Sequence, residues 1–206
     1  MEIIQPSYEI IDKLDGAAIL KKIELCGRVA YKSEKKINSA SSLAFVDGII
    51  KRGHESVLEH FSFSVRFICD RGVTHELVRH RLVAYTQEST RYCNYNKRGM
   101  TVIAPPFWDA GLLQYAIWFN VMEQCEDTYN TLIEKGNSTP QEARSVLPNS
   151  LKTEIIATAN LREWRHILKL RTAKTAHPQM RQLMVPLLQE LKDLIPIVFD
   201  DIKVED

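Results

Sequence analysis

Residues 79–91 bring Arg79, His80 and Arg81 together, and after seven residues add Ser89, Thr90 and Arg91. Guanidinium groups offer planar forks of N–H donors that match phosphate oxygens, and a hydroxyl with neighbouring loop N–H groups completes such a cradle. The chemistry this predicts is anion binding by side chains. Tyr85 and Tyr92 supply stacking surface, and Gln87 and Glu88 can read a base edge or a ribose, so a nucleotide fits better than a bare phosphate. The plainer alternative is a solvated helix face on which Glu76 supports Arg79 and His80 at helical spacing. Ser89 and Arg91 weigh against it, because a mixed polar loop with a second arginine serves little purpose as solvation alone.

Other candidates are weaker. His54-Glu55-Ser56-Val57-Leu58-Glu59-His60 packs histidines with carboxylates, but the histidines are six apart, and Ser56 stands where the inverted zinc motif needs its first histidine. A helix-to-strand turn whose histidines pair with Glu55 or Glu59 is the simpler reading, and no metal is expected. The eight glycines never occur two residues apart, which excludes a dinucleotide-binding fingerprint, and no phosphate-binding Walker loop is present. Ser89 lacks a Gly-x-Ser-x-Gly setting and a local base, so it reads as a ligand. Cys93 reads as a packing residue. Two rival functions stay open on the residues alone: a nucleotide- or RNA-binding module without chemistry, and a metal-dependent nucleotide hydrolase using His54 to His60.

The elements that must position these side chains follow from periodicity. Thr74 is expected to cap a helix carrying His75 and Glu76 in its first turn and turning Leu77, Val78 and Leu82 inward, with a polar loop from Tyr85 to Asn96 after it. The anion site would then lie at a helix-to-loop junction. Ile19, Leu20, Ile23, Cys26 and Val29 predict a helix over 16–29, and Leu43, Val46, Ile49 and Ile50 predict one over 41–52, ended by Gly53 in a left-handed turn. Phe61, Phe63, Val65, Phe67 and Cys69 alternate as a strand, and so do Leu151, Thr153, Ile155, Ala157 and Ala159. Residues 101–104 suggest a short strand, and 110–135 a long helix stopped by Gly136. Thr139-Pro140-Gln141-Glu142 is a capping box with proline at the first helical position, placing Arg144 just inside that helix. Asn160 can cap a helix carrying Leu161, Trp164, Ile167, Leu168 and Arg171, and a last helix from about Pro178 should be kinked or split by Pro186.

At 206 residues with 45% hydrophobic content, the chain is expected to form a single α+β domain over 1–206, an antiparallel sheet packed with several helices. Its 27 basic against 26 acidic residues give a net charge of +1, so a general attraction to nucleic acid is not expected. Four widely spaced cysteines without a CxxC pair predict free thiols. No apolar run reaches spanning length and no basic leader precedes one, so no membrane contact and a cytoplasmic location are expected.

The order Arg79-His80-Arg81, seven residues, Ser89 resembles the signature of the flavin-dependent thymidylate synthases. The resemblance extends to GHESVLEH at 53–60, HELVRHR at 75–81, EARSVLP at 142–148 and NLREWRHILKLR at 160–171, so several linked motifs span most of the chain. It implies that family's fold, and methylation of dUMP at C5 to give dTMP, with 5,10-methylenetetrahydrofolate supplying carbon and FAD, re-reduced by NADPH, supplying hydride. It also implies a homotetramer whose active sites collect residues from neighbouring subunits.

By match to those motifs, Arg79, His80 and Arg81 would contact FAD, with Ser56, and Glu59 and His54 beside it, lining the flavin region. Gln87, Asn160, Arg162 and His166 would complete the cofactor site. For dUMP, Glu76, Arg79, Gln87, Glu88, Ser89, Thr90 and Arg91 would form the nucleotide loop, with Arg144 on the phosphate. Arg171 would face the uracil as the catalytic residue, its fixed charge stabilising negative charge that develops on the base. Gln87 stands where some members have Glu, His166 where Asn is often found, and the stretch from Arg171 to His177 is longer than in some relatives.

Overall fold

Two strand-to-helix junctions of the same construction organise the molecule. Strand β3 (Ser62–Asp70) runs directly into helix α3 (Arg71–Leu77), and strand β6 (Lys152–Asn160) runs directly into helix α7 (Leu161–Arg171). Both strands alternate, β6 along its whole length and β3 from Phe63 to Cys69, and each ends on an Asx residue whose side chain caps the next helix. Asp70 Oδ1 accepts from the N–H of Val73 at 2.7 Å, and Asn160 Oδ1 accepts from Glu163 at 2.9 Å. One residue thus ends a strand and satisfies an orphan helix donor, which allows a sharp, loop-free turn.

The computed structural model describes residues 1–204. The remaining elements are β1 (Glu2–Ile4), β2 (Ser7–Ile10), α1 (Gly16–Val29), α2 (Ser41–Lys51), β4 (Ala84–Gln87), α4 (Tyr95–Arg98), β5 (Thr101–Ile103), α5 (Leu113–Glu134), α6 (Pro140–Ala143) and α8 (Pro178–Leu194), with 3-10 turns at Glu34–Lys36, Glu55–His60 and Arg144–Val146. The fold is α+β. An antiparallel sheet has the order β2-β3-β6-β4, while β1 and β5 form a separate parallel pair, Glu2 opposite Thr101.

The backbone gathers into two units. The first comprises Met1–Ser7, Phe67–Arg79 and Tyr85–Ile156. Its core holds Tyr95, Met100, Val102, Trp118, Met122, Tyr129, Ala143 and Leu151. The capping box is present: the Thr139 N–H and hydroxyl both donate to Glu142 at 2.7 Å. The second unit comprises Tyr8–Arg66, His80–Ala84 and the chain from Ala157 onward. There α1 packs on α2, the Glu55–His60 turn packs on α1 and α7, and α7 packs on α8. Phe63 and Trp164 stack at 5.2 Å, and each such buried side chain contributes roughly 1.5–3 kcal/mol. Gly53 takes the left-handed conformation expected of it, at φ +70°.

Several local expectations are corrected. Asp70, not Thr74, caps α3; Thr74 is buried inside the helix and donates to the Arg71 carbonyl at 2.9 Å. The helix stops at Leu77, so Val78 (43% exposed) and Leu82 (77% exposed) do not face inward, and Arg79, His80 and Arg81 lie beyond its end. The expected loop 85–96 opens as β4, because the Tyr85 hydroxyl and the Gln87 amide find partners that fix an extended backbone, and it ends in α4. Arg144 begins the 3-10 turn rather than lying inside α6. Pro186 does not split α8, which runs unbroken. Val29 and Leu43 remain exposed, and β1 and β2 are strands that the sequence pattern does not predict.

Candidate active site

In the second unit, α7 presents Glu163, His166 and Arg171 at positions i, i+3 and i+8, which share one face of a helix. The other face, with Trp164, Ile167 and Leu168, is fully buried and anchors it. His80, 5% exposed, meets this polar face: Arg171 Nε donates to His80 Nε2 at 3.0 Å, and the His166 ring lies edge-on at 5.6 Å between centroids. Because Nε2 accepts, it carries no proton, so the neutral ring holds its hydrogen on Nδ1. That Nδ1 lies 3.7 Å from Glu163 Oε1, too long for a hydrogen bond, with the carboxyl facing the ring nitrogen. Burial, then the charges of Arg171 and His166, lowers the His80 pKa to about 4. The contact with Glu163 is therefore one between a neutral imidazole and a carboxyl, not an ion pair. Burial raises the Glu163 pKa against the opposing pull of His166 and Arg162.

Beside this cluster opens a cleft of about 590 Å³ lined by Glu55, Glu59, Asn160, Arg162, His166 and Lys169, with Leu82 and Glu163 also at its wall. Arg162 donates to Glu59 at 2.6 Å. Glu55 is held by the buried Arg165, whose Nη2 donates to it at 2.9 Å while the same guanidinium grips Asp201 and the Val198 carbonyl. Glu55 and Glu59 thus pair with arginines rather than with His54 and His60. Ser56 sits exposed on the Glu55–His60 turn, Arg81 is exposed, and His54 and His177 are exposed as well.

His80, Glu163 and His166 bring ligand atoms within 4.8 Å of one another, a spacing that a metal would accept. A cation there would have to displace the Arg171 N–H from Nε2 and sit beside a guanidinium, so the cluster is better suited to organising Arg171 than to holding an ion.

The first unit holds the nucleotide-loop candidates. Gln87 donates to Thr74 at 3.0 Å and to Thr153 at 3.2 Å, while the Glu88 N–H extends β4 pairing by donating to the Glu154 carbonyl at 2.8 Å. The Glu88 carboxylate accepts from the Tyr95 hydroxyl at 3.1 Å and from Lys152 at 3.3 Å. Burial and the adjacent Glu88 push the Tyr95 hydroxyl far up; for Lys152, burial is outweighed by Glu154 and Glu88, and its pKa rises. Ser89 shapes the following turn, its Oγ accepting from the Arg91 N–H at 3.3 Å and its carbonyl from Tyr92 and Cys93. Thr90 is buried, Glu76 half-buried on α3, and Arg79, Arg91 and Arg144 exposed. The four cysteines are free thiols, as expected.

The structure thus brings His80, His166 and Arg171 together, and Asn160, Arg162 and His166 around one cleft. Sequence reasoning missed Glu163, Glu55 and Lys169; the recurrence of Glu163, His166 and Arg171 on one helix face was the available signal. Among the described residues, no helix is long and apolar enough to cross a membrane.

Comparison with known proteins gives a consistent result. A family model described as Thymidylate synthase complementing protein matches residues 10–197. A flavin-dependent thymidylate synthase of Geobacter sulfurreducens is 35% identical over 187 residues, covering 87% of this chain and 80% of that protein. One from Mycolicibacterium gilvum is 35% identical over 216 residues, covering 97% and 85%. Among solved structures, the UMP/dUMP methylase PolB from Streptomyces cacaoi bound with 5-Br dUMP superposes with a TM-score of 0.80 at 22% identity, covering 97% of this chain and 96% of that one, a likeness of fold.

Proposed function

The chain belongs to the flavin-dependent thymidylate synthase family, and we propose that it converts dUMP to dTMP by reductive methylation at C5, with 5,10-methylenetetrahydrofolate as carbon donor and FAD and NADPH as the reducing side. The observation that carries this reading is the Arg171 to His80 hydrogen bond, which joins the two most informative motifs across 91 positions of sequence.

The cleft's donor set fits a flavin dinucleotide. Arg162, Lys169, His166 and Asn160 provide cations and N–H donors for phosphate and ring carbonyl oxygens, and Glu55 and Glu59 provide acceptors for hydroxyls. Bound FAD would supply the hydride; the chain's residues supply position and charge. Arg162 would exchange its bond to Glu59 for one to the cofactor, and Ser56, Arg79, His80, Arg81 and Gln87 would complete the contacts. For dUMP, Arg91 and Arg144 are assigned to the phosphate, where a guanidinium about 4 Å away gains on the order of 4 kcal/mol at an effective dielectric near 20, before desolvation. Ser89, Thr90, Glu76 and the Gln87–Glu88 pair shape the loop around ribose and base. Glu88 does so through Tyr95 and Lys152, which hold its carboxylate in place. Arg171 is assigned to the uracil. As C5 becomes nucleophilic, negative charge spreads onto the ring oxygens, and a guanidinium already oriented by His80 stabilises it without reorganisation.

A homotetramer is part of the proposal. Leu113, Ile117 and Val121 expose an apolar stripe at four-residue spacing on α5, a face suited to association. Incubating the purified chain with dUMP, methylenetetrahydrofolate, FAD and NADPH tests the activity. Formation of dTMP that needs all four is expected; NADPH oxidation without dTMP would refute it.

A further inference from the structure

Glu163 has no place in the assignments above, yet it is 8% exposed and faces His80 from the helix that carries Arg171. Its backbone is pinned, since the Glu163 N–H is the donor that Asn160 caps. The groups facing the His80 ring from α7 are Glu163 at Nδ1, Arg171 at Nε2 and His166 at its edge. A neutral imidazole has two tautomers, and only the one protonated at Nδ1 can accept from Arg171. With Nε2 protonated, two N–H donors would face each other inside a buried site, and the guanidinium would have to turn away.

We propose that Glu163 is a positioning residue: its carboxyl, facing Nδ1 of His80, holds the imidazole in the tautomer that accepts from Arg171 Nε, and so fixes the direction of the Arg171 guanidinium. The logic is that of a carboxylate behind a histidine, with the arginine in the place of the group the histidine serves. The proposal rests on the reading of Arg171 as the residue that faces the uracil.

The experiment uses the full chain with selectively labelled histidine nitrogens, with Glu163→Leu and Glu163→Gln beside the unaltered protein. Two-bond proton–nitrogen spectra, with His80 assigned through His80→Asn, read the tautomer; steady-state kinetics with FAD present read kcat and KM for dUMP. Expected is Nδ1–H in the unaltered protein and a shift toward Nε2–H in Glu163→Leu. In that variant kcat should fall roughly 10-fold while KM for dUMP stays within about two-fold, the scale of a misdirected group. Glu163→Gln, whose side-chain oxygen can still face Nδ1–H, should recover most of both. If Glu163→Leu does not fold, Glu163→Asp, which withdraws the carboxyl by one methylene, takes its place with the same expected direction. An unchanged tautomer, a changed tautomer with unchanged kcat, or a Gln variant as impaired as Leu would overturn the proposal. Should the unaltered protein bind flavin but make no dTMP, the functional reading fails instead, and the spectra alone decide on Glu163.

Discussion

Two kinds of arginine carry the proposed chemistry, and their surroundings differ. Arg91 and Arg144 are exposed, free to close on a phosphate, whereas Arg171 is half-buried and tied to His80. Arg91→Ala or Arg144→Ala should therefore raise the apparent Kd for dUMP strongly, by about 10-fold or more, with bound flavin largely retained. Equilibrium titration of dUMP checks this, and normal dUMP binding in either variant would mean the phosphate lies elsewhere. Arg171→Ala should lower kcat more than it weakens dUMP, since in its proposed role it meets charge that develops only during reaction; unchanged turnover would remove its assigned role. His80 adds a pH signature. Histidine titrates near 6.5 in the unfolded chain and His80 near 4 in the folded one, so between these values the unfolded state binds the extra proton. Stability should fall as pH drops through this window, by on the order of 3 kcal/mol once below it, and His80→Asn should flatten that part of the curve measured by denaturant melts.

At the scale of elements, the strand–Asx–helix junction is what delivers Arg171 and Glu163 to His80. Asp70→Ala should cost roughly 1–2 kcal/mol by uncapping α3, read as a lower urea midpoint with unchanged slope. Unchanged stability would mean the cap is not what holds the turn. The second junction was legible in the sequence: the 151–159 alternation, Asn160 as cap and the apolar face of the following helix are all present. The first was only half legible. The alternation from Phe61 to Cys69 is clear, but Asp70 also belongs to the strand, so Thr74 reads as the cap and the expected helix starts four residues late. The same shift sets Arg79, His80 and Arg81 on a helix that in the structure ends at Leu77. Strands β1 and β2, of three and four residues, leave too short a pattern to see, and β4 is polar because its side chains hydrogen-bond instead of packing. Glu163 shares a helix face with His166 and Arg171, but an acid in the first turn of a helix has an ordinary explanation in the helix dipole, and that explanation hides its place in the site.

For the whole molecule, the near-zero net charge means that the proposed anion binding would come from local geometry, not from a general field. For the proposed homotetramer, light scattering should report about four times the 23.7 kDa chain mass, and Ile117→Lys on the exposed α5 stripe should reduce it. A monomer at micromolar concentration would rule out shared active sites. In the proposed site, side-chain cations, without any glycine-lined phosphate loop, hold both a flavin and a pyrimidine nucleotide. The most direct test is titration of the purified chain with FAD, followed by dUMP, while recording the visible absorption of the flavin. Expected is saturable FAD uptake and a further spectral change with dUMP that Arg91→Ala loses; a protein that takes up no FAD even from excess would contradict the account.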